Sequence, residues 1–293
     1  MARITLPLDL APSSPARVGI RSSVTVEGIG LHTGALCKVQ LKPTLEGSGL
    51  RLNGVPISSL KAGTEDWATY IVSDQRKIQT PEHLFGTLFA FGVDDIDIRV
   101  DGPEIPILDG SGAPWLKMLD LEQGLTPRQW KILPPTLIVK DRDCSAEVIA
   151  PLSEQESHQL RPPTPEGGVL PLKVNLRLRY PPLNTMNVKV HTVDTLLSRV
   201  IPARTFGRRS DEARLRQLGL IKGVTEENTL IIEPNGSHPR LRVESEPAYH
   251  KVLDLFGDLA LLEFRLLGSL SINRGSHALN HKLCKTLAQS FSE

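Results

Sequence analysis

Apolar and polar positions first alternate along residues 22–43, SSVTVEGIGLHTGALCKVQLKP. Val24, Val26 and Ile29 lead into a glycine-rich turn, and beyond it Cys37, Val39 and Leu41 alternate with Lys38, Gln40 and Lys42. That period of two predicts a strand, a turn and a half-buried strand. GSGLRLNGVPI adds a short strand and a tight turn, and Ile96, Ile98 and Val100 against Asp97, Arg99 and Asp101 predict another strand. The pattern changes to a helical one in TPEHLFGTLFAFG, where Leu84, Leu88 and Phe91 form the apolar stripe. Thr80 is the expected N-cap, Pro81 the first helical residue and Gly92 the stop. A second helix is expected from Ala113 to Gly124, and the stretch from Gln123 to Pro135 carries no clear period, which suggests a domain boundary there.

The second half opens with strand-like ILPPTLIVK and CSAEVIAP, followed by the proline-rich SEQESHQLRPPTPEGG, expected as an exposed loop. VNLRLRYPP is a further strand with Val174, Leu176 and Leu178 on one face. A helix is expected to begin at Thr192 with Leu196, Leu197 and Val200 as apolar positions, and a helix-then-strand insertion follows in residues 208–234. Two final helices, AYHKVLDLFGDLALLEF and SHALNHKLCKTLAQ, flank the strand LLGSLSI. Both halves thus hold several strands and two helices in a matching order, without a residue-level repeat.

Composition narrows the functional classes. The chain has 293 residues, 34 basic and 33 acidic, so it lacks the electrostatic footprint of a nucleic-acid binder. Cys37, Cys144 and Cys284 are too few and too dispersed for a disulfide framework. No apolar run spans a bilayer and the first residues lack a secretory core, so a cytoplasmic protein is expected, with transient contact with a membrane surface left open. GIGLHTG is glycine-rich but is not a complete dinucleotide fingerprint.

Rare polar groups on helices mark the candidate chemistry. Glu82 and His83 open the first-half helix. His250, Asp254 and Asp258 follow one another at four-residue intervals, within an arc of about 80°, and Gly257 lies close to that arc where a missing side chain permits close approach. His277 starts the last helix behind Ser276, a good N-cap, while Leu279, Leu283 and Leu287 bury it. His250 and Asp254 can reach one ion, and His83 supplies a third ligand. Two imidazoles and one carboxylate leave a coordination position open, the arrangement of catalytic rather than structural zinc, with Glu82 beside it as general base. Each feature read alone has a plain alternative: a surface hydrogen bond for His250 and Asp254, a helix-favoured carboxylate for Glu82, a solvated charge for Asp258, a capping histidine for His277. Spacing alone does not bring residues 83, 250 and 277 together.

The blocks GIGLHTG (28–34), PEHLFGTLFAFGVDDIDIRVDGPEIPILDGSGAP (81–114), ARTFG (203–207), HKVLDLFGDL (250–259) and SHALNHKL (276–283) together resemble the UDP-3-O-acyl-N-acetylglucosamine deacetylase family, zinc amidases of lipid A synthesis. The resemblance runs from about Val18 to the C-terminus. It implies an α+β fold of two similar domains, 1–128 and 129–293. Each would be a β-sheet packed on two helices, giving a sheet/helices/helices/sheet sandwich. A β-α-β insertion at about 204–234 would line an acyl-chain passage, and a smaller first-domain insertion would lie around Lys61 to Tyr70.

Residue matching implies one catalytic Zn2+, with Fe2+ as the alternative, held by His83, His250 and Asp254. It makes Glu82 the general base, Asp258 the support of His277, and His277 the general acid or electrostatic stabiliser. Thr205 would hydrogen-bond the oxyanion, Lys251 would sit beside the reaction centre, and Phe206 would contact sugar or acyl chain. Lys251 and Arg274 would receive the nucleotide phosphates. The implied substrate is UDP-linked acylated glucosamine, and a monomer is expected. The chain departs from the family pattern at Arg208, in place of a second aromatic, at Ile221–Val224, at Asn273–Ser276, and at Pro247 and Tyr249. A related zinc amidase for another acylated amino sugar, and a non-catalytic binding or scaffold relative, are the competing readings.

Overall fold

A computed structural model describes residues 4–5, 10–65, 67–149, 168–262 and 264–292. The proline-rich loop expected at residues 153–168 falls outside them except for its last residue. Among the described residues, two mixed sheets carry the fold. The first has eight strands, ordered Ile4–Thr5, Leu121–Pro127, Ala16–Ile20, Val93–Asp101, Leu36–Lys42 and Val24–Ile29, with Leu50–Leu52 and Val55–Pro56 joined beside the central strand. The second has six, ordered Ile138–Asp141, Cys144–Val148, Arg265–Asn273, Val169–Leu178 and Met186–Thr192, with Trp130–Ile132 paired to Arg265–Asn273.

The alternating residues do what their period requires. Cys37, Val39 and Leu41 are buried, and Val24–Ile29 pairs antiparallel with Leu36–Lys42 around the glycine-rich turn. Ile96 and Ile98 are fully buried in the central strand Val93–Asp101, as are Val174 and Leu176 in Val169–Leu178.

Helix α1, Glu82–Ala90, runs into the central strand of the first sheet, and α2, Ala113–Met118, follows it. In the second half a short helix α3, Val193–Thr195, continues as one π-helical turn, Leu196–Val200. Its cap is Thr192, whose hydroxyl accepts from the Thr195 N–H at 3.2 Å. Helix α4, Arg209–Gln217, lies between the parallel strands Thr205–Arg208 and Thr229–Ile232, which makes the expected β-α-β insertion. Helix α5, Glu246–Leu259, precedes the central strand of the second sheet, and α6, His277–Ser290, follows it. The order helix, central strand, helix therefore occurs once in each half. Helices α1 and α5 pack on each other between the sheets, forming the middle of the sandwich. Every residue of α1 is buried as a result.

Two local expectations are corrected. Thr80 is not a cap: its φ is +56° and its hydroxyl donates to Glu104 Oε1 at 2.7 Å, while Pro81 precedes the first residue of α1. The helix expected over Ala113–Gly124 stops at Met118, because Leu121–Pro127 is drawn into pairing with Ala16–Ile20. The first-half insertion is a three-stranded antiparallel sheet, Lys61–Glu65, Ala68–Ser73 and Arg76–Gln79. Among the described residues no helix is long and apolar enough to cross a membrane.

Candidate active site

The close approach of α1 and α5 follows from two glycines. A Cβ on Gly257 would stand 2.3 Å from the Glu82 carbonyl oxygen, and one on Gly86 would stand 2.4 Å from that of Leu253. Their absence lets the helices meet backbone to backbone, so the first turn of α1 lies against the polar face of α5. Glu82 and His83 thereby join His250 and Asp254, residues some 170 positions away in sequence.

His83 Nε2 and His250 Nε2 are 3.1 Å apart, and they lie 3.8 Å and 3.2 Å from Asp254 Oδ1. Tetrahedral zinc with bonds of about 2.0 Å spaces its ligand atoms by about 3.3 Å, so these three atoms fit one such ion. Their chemistry fits as well. Burial lowers the His83 pKa to about 3 and keeps its imidazole neutral. Nδ1 of His250 is 3.0 Å from the Ala203 carbonyl, which has no proton to give, so Nδ1 carries the hydrogen and Nε2 presents a lone pair. Asp254 Oδ1 is buried without a hydrogen-bond donor. Three lone-pair atoms crowded in this way repel one another unless a cation lies among them. The other Asp254 oxygen accepts from Lys251 Nζ at 2.7 Å. Burial works against the Asp254 charge, but Lys251 outweighs it and holds the pKa well below the usual carboxylate range.

Glu82 and His277 flank this cluster. Burial raises the Glu82 pKa to about 8, although His277 pulls the other way, and Glu82 Oε2 has no hydrogen-bond partner. His277 Nε2 lies 3.9 Å from Glu82 Oε1 and 3.8 Å from Asp254 Oδ2. Ser276 caps α6 by accepting from the Leu279 N–H at 3.2 Å, which places His277 in the first turn. Its Nδ1 donates to Asp258 Oδ2 at 2.8 Å. Burial opposes an imidazolium there, but Asp258 prevails and raises the His277 pKa to about 9. The Asp258 pKa is correspondingly depressed, His277 outweighing the cost of burying the charge.

These groups open onto a cavity of about 740 Å³ that also reaches Trp67 of the first insertion, Thr205 and Ile231 of the second, and Arg274. Phe206 lies edge-on to His250 at 6.1 Å, and Lys251 Nζ lies 5.6 Å from the Phe206 ring. Arg274 reaches the same cavity, although its guanidinium is paired with Asp143. All ten residues singled out in the sequence thus converge, nine around the cavity and Asp258 behind His277.

Four others were not foreseen. Tyr180 stacks edge-on against Phe206 at 4.8 Å and carries the Arg208 guanidinium over its ring at 4.2 Å. Thr69, Asn280 and His281 surround Asp258. A signal existed for the α6 pair: His277, Asn280, His281 and Cys284 fall at i, i+3, i+4 and i+7, a polar stripe beside the leucine stripe. Thr69 and Tyr180 carried no such signal.

The duplicated sheet-and-helix sandwich with a buried His-His-Asp cluster beside a free carboxylate defines a metal-dependent hydrolase holding one divalent ion. Comparison with known proteins narrows the class. A family model described as UDP-3-O-acyl N-acetylglycosamine deacetylase matches residues 17–289. Curated proteins named UDP-3-O-acyl-N-acetylglucosamine deacetylase are similar over most of their length. The one from Thermosynechococcus vestitus is 33% identical over 89% of this chain and 90% of its own. That from Helicobacter hepaticus is 32% identical over 92% and 88%, and that from Synechocystis 31% over 93% and 98%. The chain belongs to the UDP-3-O-acyl-N-acetylglucosamine deacetylase family.

Proposed function

We propose that this protein hydrolyses the N-acetyl amide of UDP-3-O-((3R)-3-hydroxyacyl)-N-acetylglucosamine, releasing acetate and UDP-3-O-acyl-glucosamine for lipid A biosynthesis. The observation that carries this is the pair Glu82 and His277, 3.9 Å apart, beside the buried His83, His250 and Asp254 cluster. A divalent ion held by those three residues supplies Lewis acidity to the attacking water and the amide carbonyl. Glu82, with one oxygen unpartnered, takes the proton of the attacking water as a new C–O bond forms. Thr205 donates its hydroxyl to the oxyanion that develops on the former carbonyl. The C–N bond then breaks, and His277, charged through Asp258, donates its Nε2 proton so that nitrogen leaves as an amine. Asp258 touches no reacting atom and acts through His277.

Phe206 and Tyr180 form an aromatic wall for the sugar or acyl portion. Lys251 and Arg274 offer positive charge to the diphosphate, each already partnered by a carboxylate that the phosphates would compete with. The division into domains 1–128 and 129–293 is supported by the first sheet ending at Pro127 and the second beginning at Trp130. Free Cys37, Cys144 and Cys284 suit the cytoplasm, and we place the enzyme there as a monomer.

The test is acetate release from the 3-O-acylated UDP sugar together with metal quantification. Glu82→Gln is expected to lower kcat by about 10²–10⁴ while metal content is retained. Near-native turnover by that variant removes Glu82 as base. No acetate from any 3-O-acyl UDP-N-acetylglucosamine rejects the substrate.

A further inference from the structure

Asp258 is fully buried and sits at the meeting point of three elements. On one oxygen it accepts from His277 Nδ1 at 2.8 Å and Asn280 Nδ2 at 2.9 Å. On the other it accepts from the Thr69 hydroxyl at 2.6 Å, and His281 Nε2 lies 3.4 Å away. Thr69 belongs to the inserted sheet of the first half, Asp258 to α5, and the other three to α6. The Thr69 hydroxyl has a single proton, and at 2.6 Å that proton goes to Asp258. His281 Nε2, 3.1 Å from the same hydroxyl oxygen, must therefore be the donor to it. The result is a directed chain: His281 N–H to Thr69 O–H to Asp258, met from the other side by His277 N–H.

We infer that Thr69 and His281 are positioning residues for His277, acting through Asp258 and, for Thr69, also through its hydroxyl oxygen 3.2 Å from His277 Nδ1, an inference that rests on the hydrolysis proposed above. A carboxylate with only His277 and Asn280 on one oxygen remains free to rotate about its Cβ–Cγ bond. Donors on the second oxygen stop that rotation, and so fix the plane of the His277 ring and the aim of its Nε2 between Glu82 and Asp254. Because Thr69 comes from the first-half insertion, the proton donor is complete only when that insertion is seated on α5 and α6. Each donor added to the chain also polarises the next.

The experiment uses the metal-loaded full-length chain. Thr69→Val keeps the side-chain shape and removes the hydroxyl. It is expected to lower kcat about tenfold, the worth of one hydrogen bond to a charged group, with KM and metal content unchanged. Thr69→Ser restores the rate, and His281→Asn gives a smaller loss of the same kind. In a His277→Gln background, Thr69→Val is expected to cost nothing further, since the group it positions is gone. Near-native kcat in Thr69→Val, or the same fold-loss in the His277→Gln background, overturns the inference. A second readout is independent of turnover: in protein labelled with ¹⁵N-histidine, the His277 Nδ1–H resonance should shift in both Thr69→Val and His281→Asn. An unmoved resonance in both also overturns it. If the wild-type chain released no acetate, the substrate reading would fail while the resonance still decided the role of Thr69.

Discussion

Two ionisable groups lie 3.9 Å apart beside the metal cluster with their pKa values displaced from the ordinary range, Glu82 up to about 8 and His277 up to about 9. As base, Glu82 must be ionised, so activity rises with pH through its titration; as acid, His277 must be protonated, so activity falls through its own. A bell-shaped dependence of kcat follows, and a cation held by His83, His250 and Asp254 draws both limbs toward lower pH. The limbs report the coupled pair rather than either residue alone. Asp258→Asn removes the charge that keeps His277 protonated, so its alkaline limb is expected at lower pH than in the wild type, measured as kcat against pH; an unmoved limb would detach Asp258 from this role. Stability follows the same ion pair. His277 has a raised folded value, so the contribution is complete below its ordinary 6.5 and disappears as pH rises through about 9. Asp258 has a depressed value, so the pair also requires pH above the ordinary carboxylate value of 3.8, below which it is lost as Asp258 protonates. Thermal midpoints of metal-free protein are accordingly expected to decline between about pH 6.5 and pH 9.

At the scale of elements, the contact of α1 with α5 decides whether a site exists. Gly257→Ala puts a methyl group where the Glu82 backbone already stands, an obstacle that no side-chain rotation relieves. It is expected to cost about 1–3 kcal/mol of stability, as overpacking does. The larger effect is expected on metal affinity, measured by competition with a chelator, since the helices that separate carry His83 on one side and His250 and Asp254 on the other. Helices α1, α5 and α6 show what a sequence makes legible. Their apolar stripes, the Ser276 cap and the four-residue spacing of His250, Asp254 and Asp258 are local, and the structure keeps all of them. What failed was non-local. The chain after Met118 has helical composition, yet Leu121–Pro127 pairs with a strand a hundred residues earlier. Thr80 reads as a cap, yet its hydroxyl is taken by Glu104, which lies beyond the end of the next strand, Val93–Asp101. The convergence of His83 with His250 was invisible to spacing; ligand chemistry suggested it and family resemblance supported it, while Gly257 did announce a close approach without saying to what. Thr69 was silent because its partners lie some 190 to 210 positions away.

For the whole molecule, two of the ties between the first half and the second lie at the ends of α1. The metal cluster lies at its start, and at its end buried Asp94 accepts from Arg128 Nε at 3.0 Å and Arg265 Nε at 2.9 Å. Burial disfavours the Asp94 charge, but Arg265 and Arg128 more than compensate and depress its pKa. Asp94 also accepts from the Val18 N–H at 2.9 Å, so one carboxylate fastens a strand of the first sheet to Arg265 of the second half and to Arg128 at the boundary between them. The nine residues of α1 hold these ties about 13 Å apart. Removing metal with a chelator is expected to lower stability by about 4 kcal/mol if the free ion stands a thousandfold above its dissociation constant. Asp94→Ala strands two guanidinium groups in the interior and is expected to cost about 3–5 kcal/mol. Sites separated in this way, with no shared partner, contribute additively. The denaturant midpoint of Asp94→Ala should therefore fall by the same increment with and without metal, and its metal affinity should equal that of the wild type. If chelation instead had no further effect on Asp94→Ala, the two ends of α1 would form one cooperative unit, and the junction between the sheets would assemble around the ion rather than beside it.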